Sequence, residues 1–400
     1  MRADFVIVGA GILGLTIARE LRNQYANATI VVIEKEAQVG LHASGRNSGI
    51  LHAGIYYKSD SMKAKFCLNG ARAMAAYCDE HQLPINRIGK LIVPAKKEDV
   101  AVLNQLYDQA LQNGAQVKLI KGDELRKMEP HAQVIGDTAL FSPETAVVDP
   151  KAILKHMYTE LVNQQVTFHF NRLCSKIDVS QKKLDIGPNT ISYGHLFNTA
   201  GLYADQIAIA CGLSDRYTMI PFKGMYFELS PKSSLKINHL IYPVPDMNVP
   251  FLGVHFTTSI HNTIYVGPTA IPVLGREHYS GLKGIRFAET LDTWRHLGRQ
   301  YVTNKQGFRF YAHQEIPRFL KARFVASAKA LVPELKTQDL IRSKKVGIRA
   351  QLFDKQNQTL AMDFIVEKTK NETHVLNAVS PAFTSSFSFS KHVVESLANA

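Results

Sequence analysis

"DFVIVGAGILGLTIARELRN", residues 4–23, decides the fold. A β-branched run from Phe5 to Val8 passes through Gly9, Gly11 and Gly14 into a stretch where Leu15, Ala18 and Leu21 recur at helical spacing. A second β-rich run, "ATIVVIE" at 28–34, ends on Glu34. Strand, glycine turn, helix, strand and acid make a nucleotide-binding βαβ unit. Gly9 permits the tight turn, Gly11 lets the backbone approach a pyrophosphate, and Gly14 lets the helix pack on the strand. The helix opens at Ile12, and its free N–H groups and positive dipole end suit phosphates. Glu34 would accept hydrogen bonds from an adenosine ribose, with Lys35 beside it as a further cofactor position. A glycine-rich turn in an ordinary parallel sheet is the structural alternative, and the placement of Glu34 argues against it.

The second strand runs almost at once into "SGRNSGILHAGIYY" at 44–57. In an NAD dehydrogenase further strand and helix units would complete a nucleotide-binding half here. A loop offering Ser44, Arg46, Asn47 and Ser48, with Gly49 for close backbone approach, suits a larger, permanently held cofactor. FAD fits it better than NAD.

The chain of 400 residues suggests about two domains, and 46% apolar with 20% charged residues reads as an ordinary globular protein. A net charge of +13 favours anionic partners without choosing among them. The longest basic run is "RSKK" and no RNA-binding motif is present, so no nucleic acid is expected. Cys67, Cys78, Cys174 and Cys211 form no C-x-x-C pair, which predicts a reducing compartment, no disulfide framework and no metal site. The apolar stretch from Phe5 to Ala18 is interrupted by glycines, has no cleavage site after it, and is shorter than the roughly 20 residues that span a bilayer. The expectation is a cytoplasmic protein that can still touch the inner face of a membrane.

Residues 61–80 read as a helix capped by Ser61, 89–94 ("GKLIVP") as a strand, 98–115 as an amphipathic helix stopped by Gly114, and 122–130 as a short helix closed by Pro130. A capped helix with Pro150 near its start follows, then strands "VTFHF" and "KLDI". "HLFNTAGLYADQIAIACG" gives a strand, then Ala200-Gly201, where backbone can approach a cofactor, then a helix. Residues 217–335 alternate β-rich segments with helices near 286–303 and 313–330. Strands "VGIRAQ", "DFIVEK" and "HVLNAVSP" and a last helix from about Thr384 close the chain. This predicts an α/β protein in which a cofactor domain (1–85, 147–215 and 336–400) is interleaved with a substrate domain (86–146 and 216–335).

The blocks "SGRNSGILHAGIYY", "GKLIVP", "PFKGMYFEL", "HLIYPVPDMNVPFLGVHF", "VGPTA", "VGIRAQ" and "NAVSPAFTSS" are spread along nearly the whole chain. Together they resemble FAD-dependent oxidoreductases of the D-amino-acid oxidase superfamily, and within it the L-2-hydroxyglutarate oxidases and dehydrogenases. The resemblance implies a Rossmann-like FAD domain of glutathione-reductase type and an α+β substrate domain on a mainly antiparallel sheet. It also implies oxidation of L-2-hydroxyglutarate to 2-oxoglutarate, the C2 hydride going to flavin N5 while a base takes the hydroxyl proton. An amine or amino-acid oxidase of the same superfamily is the alternative. A flavoprotein acting on RNA and a non-catalytic flavin scaffold are more distant ones.

For the base, a neutral histidine has the right pKa, and His52 and His255 both lie in matching blocks. His255, on a strand of the substrate domain, is favoured. Arg349 matches the arginine that forks onto the substrate α-carboxylate. Lys223, where the family has arginine, is placed to meet the distal carboxylate. Tyr57 and Tyr242 are hydroxyl donors, and Thr269 stands where the family has asparagine. Gly347 allows close approach to the cofactor. Ser380, Pro381, Thr384 and Ser385 open the last helix, whose N–H groups would face the flavin pyrimidine oxygens. Arg46 departs from the family's histidine. The reduced cofactor would pass its electrons to oxygen or to a membrane quinone. The stretch 307–335, with Arg309, Arg318, Lys321 and Arg323 among Phe308, Phe310, Phe319 and Phe324, is the candidate membrane contact. An ordinary substrate-domain helix is its plain alternative.

Overall fold

The computed structural model describes residues 1–246 and 252–397. Residues 247–251, in the middle of the block at 239–256, lie outside the described residues. The opening segment forms strand β1 (Arg2–Val8), helix α1 (Ile12–Gln24) and strand β2 (Ile30–Ile33). β1 pairs in parallel with β2 on one side and with Asn189–Asn198 on the other. Thr167–His169 adds beside β2, and Glu372–Asn377 beside Asn189–Asn198, also in parallel. The parallel strands therefore lie in the chain order 3-2-1-4-5, with β1 at the centre. Every residue of β2 is buried, Ile30 and Val32 in the core shared with α1, Val31 and Ile33 in the one shared with Leu184, Ile186 and Ile191 on the other face.

The second sheet is built on two long strands. Tyr217–Leu229 runs antiparallel to Leu340–Asp354, from Tyr217 opposite Asp354 to Leu229 opposite Leu340. Ile264–Gly267, His255–Thr258, Leu240–Pro243, Lys90–Val93, Thr138–Ser142 and Lys118–Lys121 follow in that spatial order. Along that path only the pair of Leu240–Pro243 with Lys90–Val93 is parallel. The expected mainly antiparallel sheet is thus present.

Leu340–Asp354, expected within the 336–400 part of the cofactor domain, pairs in this sheet. The sequence marks a strand carrying Gly347 and Arg349 but not its partner, and the partner decides the domain. A small antiparallel ribbon of Ile50–Leu51, Ala146–Val148 and Ile85–Asn86 explains why two apolar residues interrupt the polar loop: Ile50 faces Val147, and Leu51 faces Ala146.

The helices follow their end signals. Met62–Glu80 begins after Ser61, whose hydroxyl accepts from the Ala64 amide at 3.1 Å. Pro150–Asn163 begins after Asp149, whose carboxylate accepts from Lys151 and Ala152. The helix expected over 313–330 is divided into Phe308–Glu315, a short 3-10 turn Ile316–Phe319, and Lys321–Lys329. Pro317 has no N–H to continue the first helix. A segment of the second unit, residues 274–286, is strapped onto the first. Arg276 donates to Asp205 at 2.8 Å with both side chains buried, and the Tyr203 hydroxyl donates to Glu277 at 2.8 Å.

Candidate active site

The turn after β1 packs too closely against its surroundings for side chains at its glycines. Gly9 has φ +106°, and a Cβ there would stand 2.6 Å from the Thr199 carbonyl oxygen. A Cβ on Gly14 would fall 1.9 Å from the Gly9 oxygen, so helix and turn meet with no room for a side chain. Glu34 accepts from the Ala10 amide at 2.8 Å and the Glu36 amide at 2.9 Å, which fixes its carboxylate beside the glycine turn.

The Ser44 hydroxyl accepts from Ile12 N–H at 2.9 Å and lies 3.0 Å from a Cβ built on Gly11, tying the polar loop to the start of α1. Asn47 bridges that loop internally, donating to the Ser44 carbonyl at 2.7 Å and accepting from Gly49 N–H at 2.8 Å. Ala200 donates to Asn198 Oδ1 at 3.2 Å, and Gly201 has φ +56°. A Cβ on Gly347 would meet the Arg46 carbonyl oxygen at 2.9 Å, so the second sheet touches this loop through a glycine. The last helix, Ala382–Glu395, brings Thr384 to the same place: its hydroxyl donates to the Ile50 carbonyl at 3.1 Å and accepts from His52 N–H at 3.3 Å. The Ser385 hydroxyl is buried with no hydrogen-bond partner among the described residues. Small residues, a fixed acid and an orphaned hydroxyl gathered between the β1–α1 turn and the start of the last helix fit a dinucleotide with a flavin end.

The second sheet carries its own group of buried polar side chains. His255 is buried, and its Nδ1 lies 2.9 Å from the Gly253 carbonyl oxygen. A carbonyl can only accept, so Nδ1 carries the proton and Nε2 keeps its lone pair in the neutral ring. The Tyr242 ring stacks on this imidazole with centroids 3.9 Å apart and planes 19° apart. Burial pulls His255 down to about 3, with Arg349 and Lys90 reinforcing the effect. His52, also buried, is held at about 3 by burial and by its neighbours Lys90 and His255, and its Nδ1 has no hydrogen-bond partner among the described residues. Both rings are neutral at physiological pH. The Arg349 charge bears on His255, Tyr226 and Tyr242, and burial lowers its own pKa from the ordinary value.

The structure thus brings His52, His255, Tyr242 and Arg349 together. Tyr57 joins them near Tyr56 and Tyr242. Lys223 stands apart. Phe222 lies opposite Arg349 and Lys223 opposite Ile348, so strand alternation sends the lysine out of the other face from the guanidinium. Its amine donates to the His278 carbonyl at 3.2 Å. Thr269 is buried and accepts from Met225 N–H at 3.1 Å, pinning the long strand beside its bulge. Lys35 is taken up by Glu36, by Glu277 and by His42 at 2.9 Å, which makes it part of the interdomain strap. Arg46 lies 4.3 Å over the Tyr279 ring and donates to the Leu41 carbonyl at 2.7 Å. Ser380 is exposed, while Pro381, Thr384 and Ser385 are buried.

Sequence reasoning missed Tyr56, Lys63 and Lys90. Lys63 is buried, and burial pulls it to about 8, with Arg349 lowering it and Asp363 opposing. Lys90 is wholly buried and pulled to about 7. A lysine at the start of the short apolar strand "GKLIVP" was the available signal, because a strand buried on both faces has no solvent side for an ammonium.

The glycine turn of the parallel sheet and the buried groups of the antiparallel sheet together define the class. The chain belongs to the FAD dependent oxidoreductase family, whose model matches residues 4–396, and its cofactor is FAD. Over nearly its full length it is similar to proteins named L-2-hydroxyglutarate dehydrogenase. The one from Indibacter alkaliphilus is 34% identical over 400 residues, covering 99% of this chain and 98% of the relative. The one from Escherichia coli K12 is 32% identical over 396 residues, covering 98% and 92%. Among solved structures, dithionite-reduced L-alpha-glycerophosphate oxidase from Mycoplasma pneumoniae with FAD bound has a TM-score of 0.79 at 19% identity, covering 100% of this chain and 95% of that one. Glycine oxidase from Geobacillus kaustophilus has a TM-score of 0.72 at 16% identity, covering 100% and 95%. These structural likenesses show the fold.

Proposed function

We propose that the protein oxidises L-2-hydroxyglutarate to 2-oxoglutarate. The observation that carries this reading is the meeting of a guanidinium and a neutral, tautomer-fixed imidazole on one sheet that touches the polar loop through Gly347, in a chain whose full-length relatives bear that activity's name. FAD, when bound, supplies the acceptor for the C2 hydride. Arg349 forks onto the α-carboxylate and fixes the substrate's orientation. Nε2 of His255 takes the hydroxyl proton, and Tyr242 holds the ring by stacking. Arg349 and Lys90 disfavour the protonated imidazole, so His255 stays in the form that accepts. Gly9, Gly11, Gly14 and Glu34 receive the adenosine diphosphate half of the cofactor. Ser44, Asn47, Gly347 and the start of the last helix receive the flavin half.

Anaerobic titration of purified protein tests this. L-2-hydroxyglutarate is expected to bleach the flavin, and D-2-hydroxyglutarate, D-amino acids and sarcosine to leave it oxidised. Bleaching by an amine and not by the hydroxy acid would move the protein to the amine-oxidising branch of the superfamily.

The electron acceptor in this reading is a quinone in an anionic membrane that the protein touches peripherally. Support comes from Phe287–Thr303, a helix the membrane argument from sequence did not use. Phe287, Leu291, Trp294 and Val302 form an exposed apolar stripe at helical spacing beside exposed Arg295 and Arg299, while Thr293, His296, Leu297 and Gln300 face inward. Phe310 and Phe319 from the expected stretch are exposed as well, whereas Phe324 is core. No helix among the described residues is long and apolar enough to cross a membrane.

A further inference from the structure

Lys90 starts the strand Lys90–Val93, which pairs in parallel with Leu240–Pro243. Leu240 lies beside Lys90 and Tyr242 beside Ile92, so the lysine and Tyr242 leave the sheet on the same face. The amine lies 4.5 Å from the Tyr56 ring and 5.3 Å from the Tyr242 ring, and Tyr242 stacks directly on His255. Three polar atoms gathered here are buried without a hydrogen-bond partner among the described residues: Lys90 Nζ, the Tyr56 hydroxyl and His52 Nδ1. An ammonium has three donors, and leaving it dry and unpaired is costly. Aromatic faces recover part of that cost and leave the donors unfilled.

The other lysines near the site are otherwise engaged. Lys63 has Asp363 nearby, Lys345 has Glu228, and Lys223 leaves by the opposite face. Arg349 and Lys90, on separate strands, both act electrostatically on His255. A five-carbon 2-hydroxy diacid offers a hydroxyl for the imidazole and one carboxylate for each of the two cations.

We propose that Lys90, with the Tyr56 hydroxyl, receives the distal carboxylate of the substrate and so sets the preference for 2-hydroxy dicarboxylates over 2-hydroxy monocarboxylates. The inference rests on the 2-hydroxy-acid reading above and adds the residue that selects the dicarboxylate class. Desolvation makes the pair selective, because a monocarboxylate would leave the ammonium unpaired in an apolar pocket.

The test compares L-2-hydroxyglutarate with (S)-2-hydroxyvalerate, in which a methyl group replaces the distal carboxylate. In Lys90→Met holoenzyme the ratio of kcat/KM for the diacid to that for the monoacid is expected to fall about 10- to 100-fold, the size of a lost charge-assisted hydrogen bond. An unchanged ratio, with both substrates falling together or neither falling, overturns the proposal. If the variant does not retain FAD, the wild-type holoenzyme gives the answer. Glutarate and valerate are titrated against the flavin spectrum between pH 6 and 9. Glutarate affinity should decline relative to valerate as Lys90 deprotonates among Tyr56, Tyr242, Cys67, His52 and His255, and a constant ratio overturns the proposal. Wild-type flavin that L-2-hydroxyglutarate fails to bleach removes the functional reading and this inference together. Bleaching with an unchanged ratio removes only the inference.

Discussion

His255 can act as a base in only one tautomer, and the Gly253 carbonyl selects it. His255→Asn keeps a donor for that carbonyl but has no basic nitrogen. Its kcat is expected to fall by about 10²- to 10⁴-fold, with FAD retained and glutarate still perturbing the flavin spectrum. Unimpaired turnover would return the role to His52. The pH dependence of kcat/KM should report the free enzyme's Lys90 more than its histidines. His255 is already neutral above about 3, while Lys90 is held near 7, so productive diacid binding is lost as pH rises past about 7. Stopped-flow flavin reduction should show that falling limb for L-2-hydroxyglutarate and not for (S)-2-hydroxyvalerate. A limb shared by both substrates would assign the titration to another group. At this scale the sequence marked His255 and Arg349 through their motifs, and the structure buries both on one sheet. For Lys90 the sequence offered only the oddity of a lysine opening an apolar strand, because nothing in "GKLIVP" says what lies above it, and for Lys223 it did not show the face, because one step along a strand reverses it.

The turn from β1 into α1 shows which element-level features a sequence records. Glycine spacing announces a close approach, and the structure supplies its size: a Cβ on Gly14 would sit 1.9 Å from the Gly9 oxygen. Gly14→Ala should therefore push α1 off the turn and yield protein depleted of FAD. The ratio of flavin to protein absorbance after gel filtration measures this, and full occupancy would mean that the helix accommodates the methyl group. Helix ends marked by Ser61, Asp149 and Pro150 were legible because capping is local. The partners of the long strand Leu340–Asp354 were not, since pairing with Tyr217–Leu229 joins residues more than a hundred positions apart and leaves no local trace. The strand was assigned with the cofactor segments for that reason. Pro317 was visible in the sequence, yet the periodicity on either side of it reads as one helix until the break is seen.

For the whole molecule, buried histidines make folding sensitive to mild acid. His52 and His255 are held near 3 and His374 near 4 by burial, against 6.5 for an ordinary histidine. Below pH 6.5 the unfolded chain binds protons that the folded chain refuses. The stability they contribute is whole above 6.5 and is lost progressively as pH falls toward 3 to 4. Urea midpoints at constant FAD should drop between pH 7 and 5, a range above most carboxylate titrations, and a flat midpoint would mean that the rings are not held neutral. The +13 net charge acts at the same scale. Charge alone left nucleic acid, membrane and solubility open, and the proposed membrane contact rests on the apolar stripe beside Arg295 and Arg299 on Phe287–Thr303. The chain's single tryptophan, Trp294, lies on that stripe and is 50% exposed, so it reports directly on the contact. Vesicles containing phosphatidylglycerol should shift its emission to the blue, and neutral phosphatidylcholine vesicles should not. Arg295→Glu with Arg299→Glu should abolish the shift, as should high salt. Emission unmoved by anionic vesicles at low salt would detach the membrane from this face and leave a soluble acceptor, oxygen first, to reoxidise the flavin.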